Sequence, residues 1–299
     1  MTKKTADVQM LIARSEQRFT DQIRAAAATL LAQPNLQIIT VTGPTCSGKT
    51  TTAQLLTEVL EAAGHRVFPV SFDDFFLDRS RLPLTPSGRV DHDTVAALDM
   101  ETLTSCLTRL VREEETDLPL FDFVTGKRGG VRRYVPVEGD IILLEGIQAM
   151  YPEIRALLPG DTVRSIAILP ERDVETPCGV LHAREIRLLR RLVRDARTRG
   201  SDAQKTLSMW EDVCVNEDAN IYPYLDCADI CIDSYMEYEV GVIRPMAEAV
   251  LAGLDDDSVY KTYADSLLAR LACVEALDAD GVPADSMFRE FIGKKEQPQ

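Results

Sequence analysis

Gly43-Pro44-Thr45-Cys46-Ser47-Gly48-Lys49-Thr50 fits the pattern G-x-x-x-x-G-K-[ST] at every position. The glycines let the backbone curl tightly and aim successive N–H groups at a phosphate. Lys49 then brings a point charge to the β and γ phosphates of a nucleoside triphosphate, and the Thr50 hydroxyl faces Mg2+. Thr45, Cys46, Ser47 and Thr51 complete the expected contacts to ATP, and the following helix adds the positive end of its dipole. Magnesium needs more oxygen ligands than one hydroxyl. Glu145 closes the apolar run Ile141-Ile142-Leu143-Leu144, where a strand's carboxyl end opens onto the ligand crevice of an α/β sheet. It is the expected second metal ligand, directly or through water; the alternative is a helix cap or a solvated strand-end acid.

Phosphoryl transfer also needs a group that accepts the acceptor's hydroxyl proton. Asp73 ends the second strand-like run, close to the phosphate loop in a βαβ unit, and is the expected general base. Asp74 beside it points elsewhere, because neighbouring strand residues alternate faces. Either acid could instead ligate magnesium or cap the next helix. Arg187, Arg190, Arg191 and Arg194 recur at i, i+3, i+4 and i+7 within 179–199 and share one helix face, with Leu188, Leu189, Leu192 and Val193 opposite. Such a face suits a lid that closes over polyphosphate and stabilises transferred charge. A solvated face pairing with acids elsewhere is the plainer alternative.

These groups must be positioned by an α/β framework. Residues 8 to about 32 have helical spacing and end before Pro34; 36–42 and 66–72 are strand-like, with 50–63 helical between them. Strand, helix, strand is the βαβ unit of a parallel sheet. Residues 78–93 form a long loop with two prolines, 93–115 return to helical spacing, and 117–139 are irregular or hairpin-like. Residues 140–144, 163–169 and 228–232 are further buried strands, and helices run on to about 293 before a polar tail.

Apolar residues make up 45% of the 299, enough for a substantial core. The formal charge of -15 argues against a nucleic-acid partner or an anionic membrane surface. The seven cysteines are scattered without a Cys-x-x-Cys pair, which suggests reduced thiols. No signal-peptide run and no membrane-spanning apolar stretch is present, so a soluble, cytoplasmic protein is expected.

Six ordered blocks, GPTCSGKT, SFDDFF, VDHDTVAALD, PLFDFVTGKR, ILLEGI and REIRLLRRLVRDARTRG, resemble the uridine kinase family, within the wider uridine kinase and phosphoribulokinase group of P-loop kinases. The resemblance runs from about Ile38 to Ser234. It implies that Asp73 is catalytic, that Asp91 grips ribose hydroxyls with Phe76 near the sugar, and that Arg187, Arg190 and Arg194 are lid arginines. It also places Phe121, Lys127 and Arg128 beside the nucleobase. Members that act on uridine and cytidine usually carry Tyr and His where this chain has Phe121 and Gly126. Losing those two polar groups removes much of the expected discrimination for a pyrimidine.

The sequence thus predicts a P-loop kinase fold at 36–239, mainly parallel, with helices on both faces, an arginine-rich lid helix, and helical extensions at 1–35 and 240–299. The extensions are assigned only packing or oligomer contacts. The expected activity is ATP- and Mg2+-dependent phosphorylation of the 5′-hydroxyl of a small nucleoside, uridine-like, as in nucleoside salvage. Two alternatives stand beside it. One is a kinase of the same fold acting on another small alcohol, such as a sugar phosphate or a pantothenate-like metabolite. The other is a non-catalytic nucleotide-binding module.

Overall fold

The computed structural model describes residues 3–294, so most of the expected polar tail lies outside the described residues. The chain begins with helix α1 (Lys3–Leu31), strand β1 (Ile38–Thr42), helix α2 (Lys49–Ala62) and strand β2 (Val67–Ser71). Helix α3 (Met100–Val111) follows the long loop, then the strands β3 (Thr116–Asp122) and β4 (Lys127–Tyr134), β5 (Ile141–Glu145) and a short α4 (Pro152–Arg155). Next come β6 (Val163–Leu169), β7 (Val174–Thr176), β8 (Gly179–Leu181), α5 (Ala183–Thr198), α6 (Ala203–Asn220) and α7 (Tyr222–Leu225). The chain closes with β9 (Ile230–Asp233), α8 (Glu239–Leu251), α9 (Lys261–Ala272) and α10 (Arg289–Ile292).

Five strands form one sheet in the order β2-β5-β1-β6-β9, and every neighbouring pair is parallel. Both faces of such a sheet are covered, so its strands are apolar without alternating. Ile39, Val41, Ile141, Leu143 and Ile168 point into one core, built with α1, α2, α5, α8, α9 and α10. Ile38, Val70, Ile142 and Leu144 point into the other, against α3, Leu118 and Tyr134. The predicted α/β architecture is the one observed.

Several details differ from the sequence reading. The stretch 93–115 begins as a 3-10 turn, Val95–Ala97, and only Met100–Val111 is α-helical, because the Asp99 carboxylate caps the helix by accepting the Thr102 N–H at 3.1 Å. The segment 179–199 starts as a strand, β8, and becomes helical at Ala183. Helix α6, which no sequence pattern had indicated, lies against α5. The two extensions share the core of the domain. Phe19 and Ile23 of α1, and Phe288 and Phe291 near the C-terminus, are each at most 2% exposed within that core.

The cysteines also depart from the expected set of free thiols. Cys178, in the β7–β8 turn, is bonded to Cys273 at the end of α9, with Cα atoms 6.6 Å apart. The two lie 95 residues apart in sequence. They meet because Arg270 of α9 donates to the Val180 carbonyl at 2.6 Å and pairs with Glu185 of α5.

Candidate active site

The carboxyl ends of β1, β2 and β5 open into a cleft of about 1520 Å³ that holds Lys49, Thr50, Asp73, Phe76, Asp91, Glu145, Arg191 and Arg194. The phosphate loop leaves β1 at Gly43, where a Cβ would fall 2.1 Å from the Ile168 carbonyl oxygen, so only glycine fits. Gly48, at φ +94, turns the chain into α2 in the left-handed region that glycine tolerates. Cys46 adopts φ 58 without that freedom, and the surroundings must hold it there.

Two buried arginines supply that hold. Arg187 Nη1 donates to the Thr45 carbonyl and Arg190 Nη1 to the Cys46 carbonyl, both at 3.1 Å. The carbonyls of Thr45 and Cys46 are thus drawn back against α5. Each guanidinium is held in turn by a buried acid: Arg187 by Glu217 of α6 at 2.6 Å, Arg190 by Glu239 of α8 at 2.6 Å. Arg187 is 1% exposed and Arg190 0%. The expected open arginine face is therefore corrected for these two. Shared periodicity placed them together, but their partners, Glu217 and Glu239, sit in helices whose acids gave no sequence signal. Arg191 and Arg194 do line the cleft, each ion-paired to Asp195.

The acid set is concentrated where charge is hardest to bear. Burial pushes the Asp73 carboxyl above its ordinary value, with Lys49 opposing the shift and Asp74 adding to it. Burial raises Glu145 to about 7, again against Lys49, with Asp73 and Glu290 adding to the rise. Asp93, which the sequence reading passed over, is raised to about 6 by burial, with Arg191 pulling the other way. Asp74 turns away and accepts the Phe121 N–H at 3.1 Å, which ties the β3–β4 hairpin to the Asp73 turn. Of the two neighbouring acids, Asp73 is the one that lines the cleft.

Thr50 Oγ1 and Glu145 Oε1 lie 3.5 Å apart. Among the described residues no cluster of three or more His, Cys, Asp or Glu is arranged to hold a metal. A hydroxyl and one carboxylate beside a phosphate loop fit a small, hard cation that takes its remaining ligands from water and substrate oxygens. The buried Ser47 hydroxyl has no protein partner, which fits a phosphate oxygen.

The acceptor side is only partly as expected. Phe76 lines the cleft with His92, ring centroids 5.4 Å apart and edge-to-face. Asp91 is there too, one oxygen accepting the Asp93 N–H at 3.0 Å. The loop that carries it is anchored over α6, where Ser87 and Arg89 both reach Asp212, at 2.6 Å and 2.9 Å. Phe121, by contrast, stands behind Phe76 at 5.9 Å, and Phe123 takes the place at the cleft. Lys127 and Arg128 are not brought to the cleft. Arg128 has found Asp99 at 2.6 Å instead, and Lys127 pairs with Asp122 in the register of the hairpin. At Gly126, with φ +69, a Cβ would meet Arg79 Nε at 2.9 Å, so Arg79 lies where a larger side chain would stand. Arg79, His92, Arg199 and Glu290 are cleft residues that sequence reasoning missed. His92 and Arg199 lie within two of the six blocks at positions to which the resemblance gave no role, whereas Arg79 and Glu290 lie outside the blocks.

A model of the phosphoribulokinase / uridine kinase family matches residues 38–240. The chain is 28% identical over 240 residues to uridine-cytidine kinase C of Dictyostelium discoideum, covering 79% of this chain and 48% of that protein. A uridine kinase of Anoxybacillus flavithermus is 28% identical over 178 residues, covering 59% of this chain and 75% of its own length. The chain thus spans about half the length of the Dictyostelium relative. Among solved structures, D-glycerate 3-kinase from Cryptococcus neoformans superposes with a TM-score of 0.50 at 17% identity, covering 74% of this chain and 97% of that one. At that identity the likeness concerns the fold.

Proposed function

Since the chain belongs to the phosphoribulokinase / uridine kinase family and has the fold of a P-loop kinase, we propose that it transfers the γ-phosphate of ATP to the 5′-hydroxyl of a small nucleoside, uridine- or cytidine-like. The observation that carries this reading is that Asp73 lines the same cleft as Lys49, Thr50 and Glu145, together with Asp91 and Phe76. Lys49 and the loop N–H groups bind the β and γ phosphates, and the positive end of α2 adds to that field. When bound, Mg2+ neutralises phosphate charge, and Thr50 and Glu145 are the residues that would hold it. Asp73 accepts the proton of the attacking hydroxyl, and its raised pKa brings it closer to that task than an exposed aspartate. Arg191 and Arg194 face the transferring group, while Arg187 and Arg190 act through the loop they hold. Asp91 has one carboxylate oxygen left for a vicinal diol, and Phe76 packs beside the sugar.

A second reading keeps the reaction and changes the acceptor to another small alcohol. It is favoured by one observation: the base side of the cleft offers Phe123 and Arg79 in place of the side chains the family uses there. A panel of nucleosides, sugar phosphates and other small alcohols, scored by ADP release, separates the two. Turnover confined to nucleosides is expected; turnover with none of them, but with another alcohol, would replace the acceptor and leave the phosphotransfer intact.

A further inference from the structure

The C-terminal segment reaches the donor site from far outside the matched family region. Glu290 Oε2 accepts the Thr51 hydroxyl at 2.9 Å, one residue beyond Thr50 on the first turn of α2, and Glu290 lines the cleft. The acid is firmly placed. Phe288 and Phe291 on either side of it are fully buried, and the Arg190 guanidinium lies 5.0 Å from the Phe291 ring centroid. Arg197 Nη1 donates to the Phe291 carbonyl at 3.1 Å. Met287 packs against Gly48, so that a Cβ on that glycine would come within 2.6 Å of its sulfur. Arg194 feels the charge of Glu290 but is itself ion-paired to Asp195.

A fixed carboxylate beside a phosphate loop, additional to the Glu145 that would hold the cation, repels the ligand that the loop attracts. The repulsion scales with the ligand's net charge. Fully ionised ATP carries about four negative charges, and a bound divalent cation removes two of them. We propose that Glu290 is a specificity-determining residue of the donor site, disfavouring the bare triphosphate and so selecting its cation-complexed form. The inference rests on reading the loop as a triphosphate-donor site. Its chemical consequence is that an unproductive anion, which lacks the metal that transfer requires, competes less well for the cleft.

The test is binding of ATP to the full chain by calorimetry, with excess Mg2+ and separately with EDTA, for wild type, Glu290→Gln and Glu290→Asp. Glutamine keeps an oxygen that can accept the Thr51 hydroxyl and removes only the charge. Glu290→Gln is expected to tighten binding of bare ATP on the order of tenfold and of the Mg2+ complex about threefold or less. Glu290→Asp keeps the wild-type ratio. An unchanged ratio in Glu290→Gln, or equal tightening in both conditions, overturns the inference and leaves the donor site standing. Wild type that binds ATP in neither condition overturns both.

Discussion

Replacing Glu239 with alanine tests whether buried ion pairs beneath the phosphate loop hold it in shape. Glu239 is 0% exposed, and its carboxylate meets Arg190 through Nε at 3.1 Å and Nη2 at 2.6 Å. Without it the guanidinium is left charged in the core. Breaking a buried pair in this way costs roughly 3 to 5 kcal/mol. For a chain of this size that lowers the melting temperature on the order of 10 °C. Arg190 also donates to the carbonyls of Cys46 and Ser234, so a shifted guanidinium releases the loop at the one non-glycine residue held at positive φ there. A charged hydrogen bond contributes about 1.5 to 3 kcal/mol, and a loss of half of that weakens ATP binding by up to about tenfold. The double variant Arg190→Met, Glu239→Leu separates the two effects. It fills the space with apolar atoms and restores thermal stability, yet leaves the Cys46 carbonyl without its donor. Melting curves and ATP titrations on both variants supply the readings. A double variant that recovered full ATP affinity, or a Glu239→Ala protein that melted like wild type, would refute the clamp.

Two further perturbations follow from the same site and its surroundings. Asp93 and Glu145 are raised to about 6 and about 7 by burial, so the fold favours their protonated forms. Their stabilisation is present at low pH and lost as pH rises through those values. Without divalent cation, the melting temperature should therefore fall between pH 5 and 8, and the fall should be shallower in Glu145→Gln; an equal slope in that variant would count against the raised Glu145. Reduction of Cys178–Cys273 reopens a loop of 95 residues. On the chain-entropy account this costs about 4 to 5 kcal/mol, read as a lower melting temperature in dithiothreitol that Cys273→Ser abolishes.

What could be read in the sequence was the part built from contiguous residues. The phosphate loop, the strand-end acids Asp73 and Glu145, and the parallel strands are each specified within a few residues of chain, so spacing alone found them. Helical periodicity likewise grouped Arg187, Arg190, Arg191 and Arg194, but it could not say what each one meets. Arg187 and Arg190 are buried because Glu217 and Glu239, 30 and 49 residues downstream, come to meet them. Glu290 was invisible for the same reason: its place beside Thr51 depends on how α10 packs against α5, 239 residues from its partner. The disulfide also joins elements by tertiary packing. At Gly126 the sequence indicates only a missing imidazole, and it is tertiary packing that brings Arg79 into the space.

The most direct measurement follows the phosphate itself. With ATP, Mg2+ and the acceptor selected from the panel, 31P NMR on wild type should show a new phosphomonoester appearing as ADP accumulates. Asp73→Asn should bind ATP as wild type does and form that product about a hundred- to ten-thousand-fold more slowly. Equal rates from the two proteins, or ADP released without any phosphorylated acceptor, would contradict Asp73-assisted transfer to a hydroxyl.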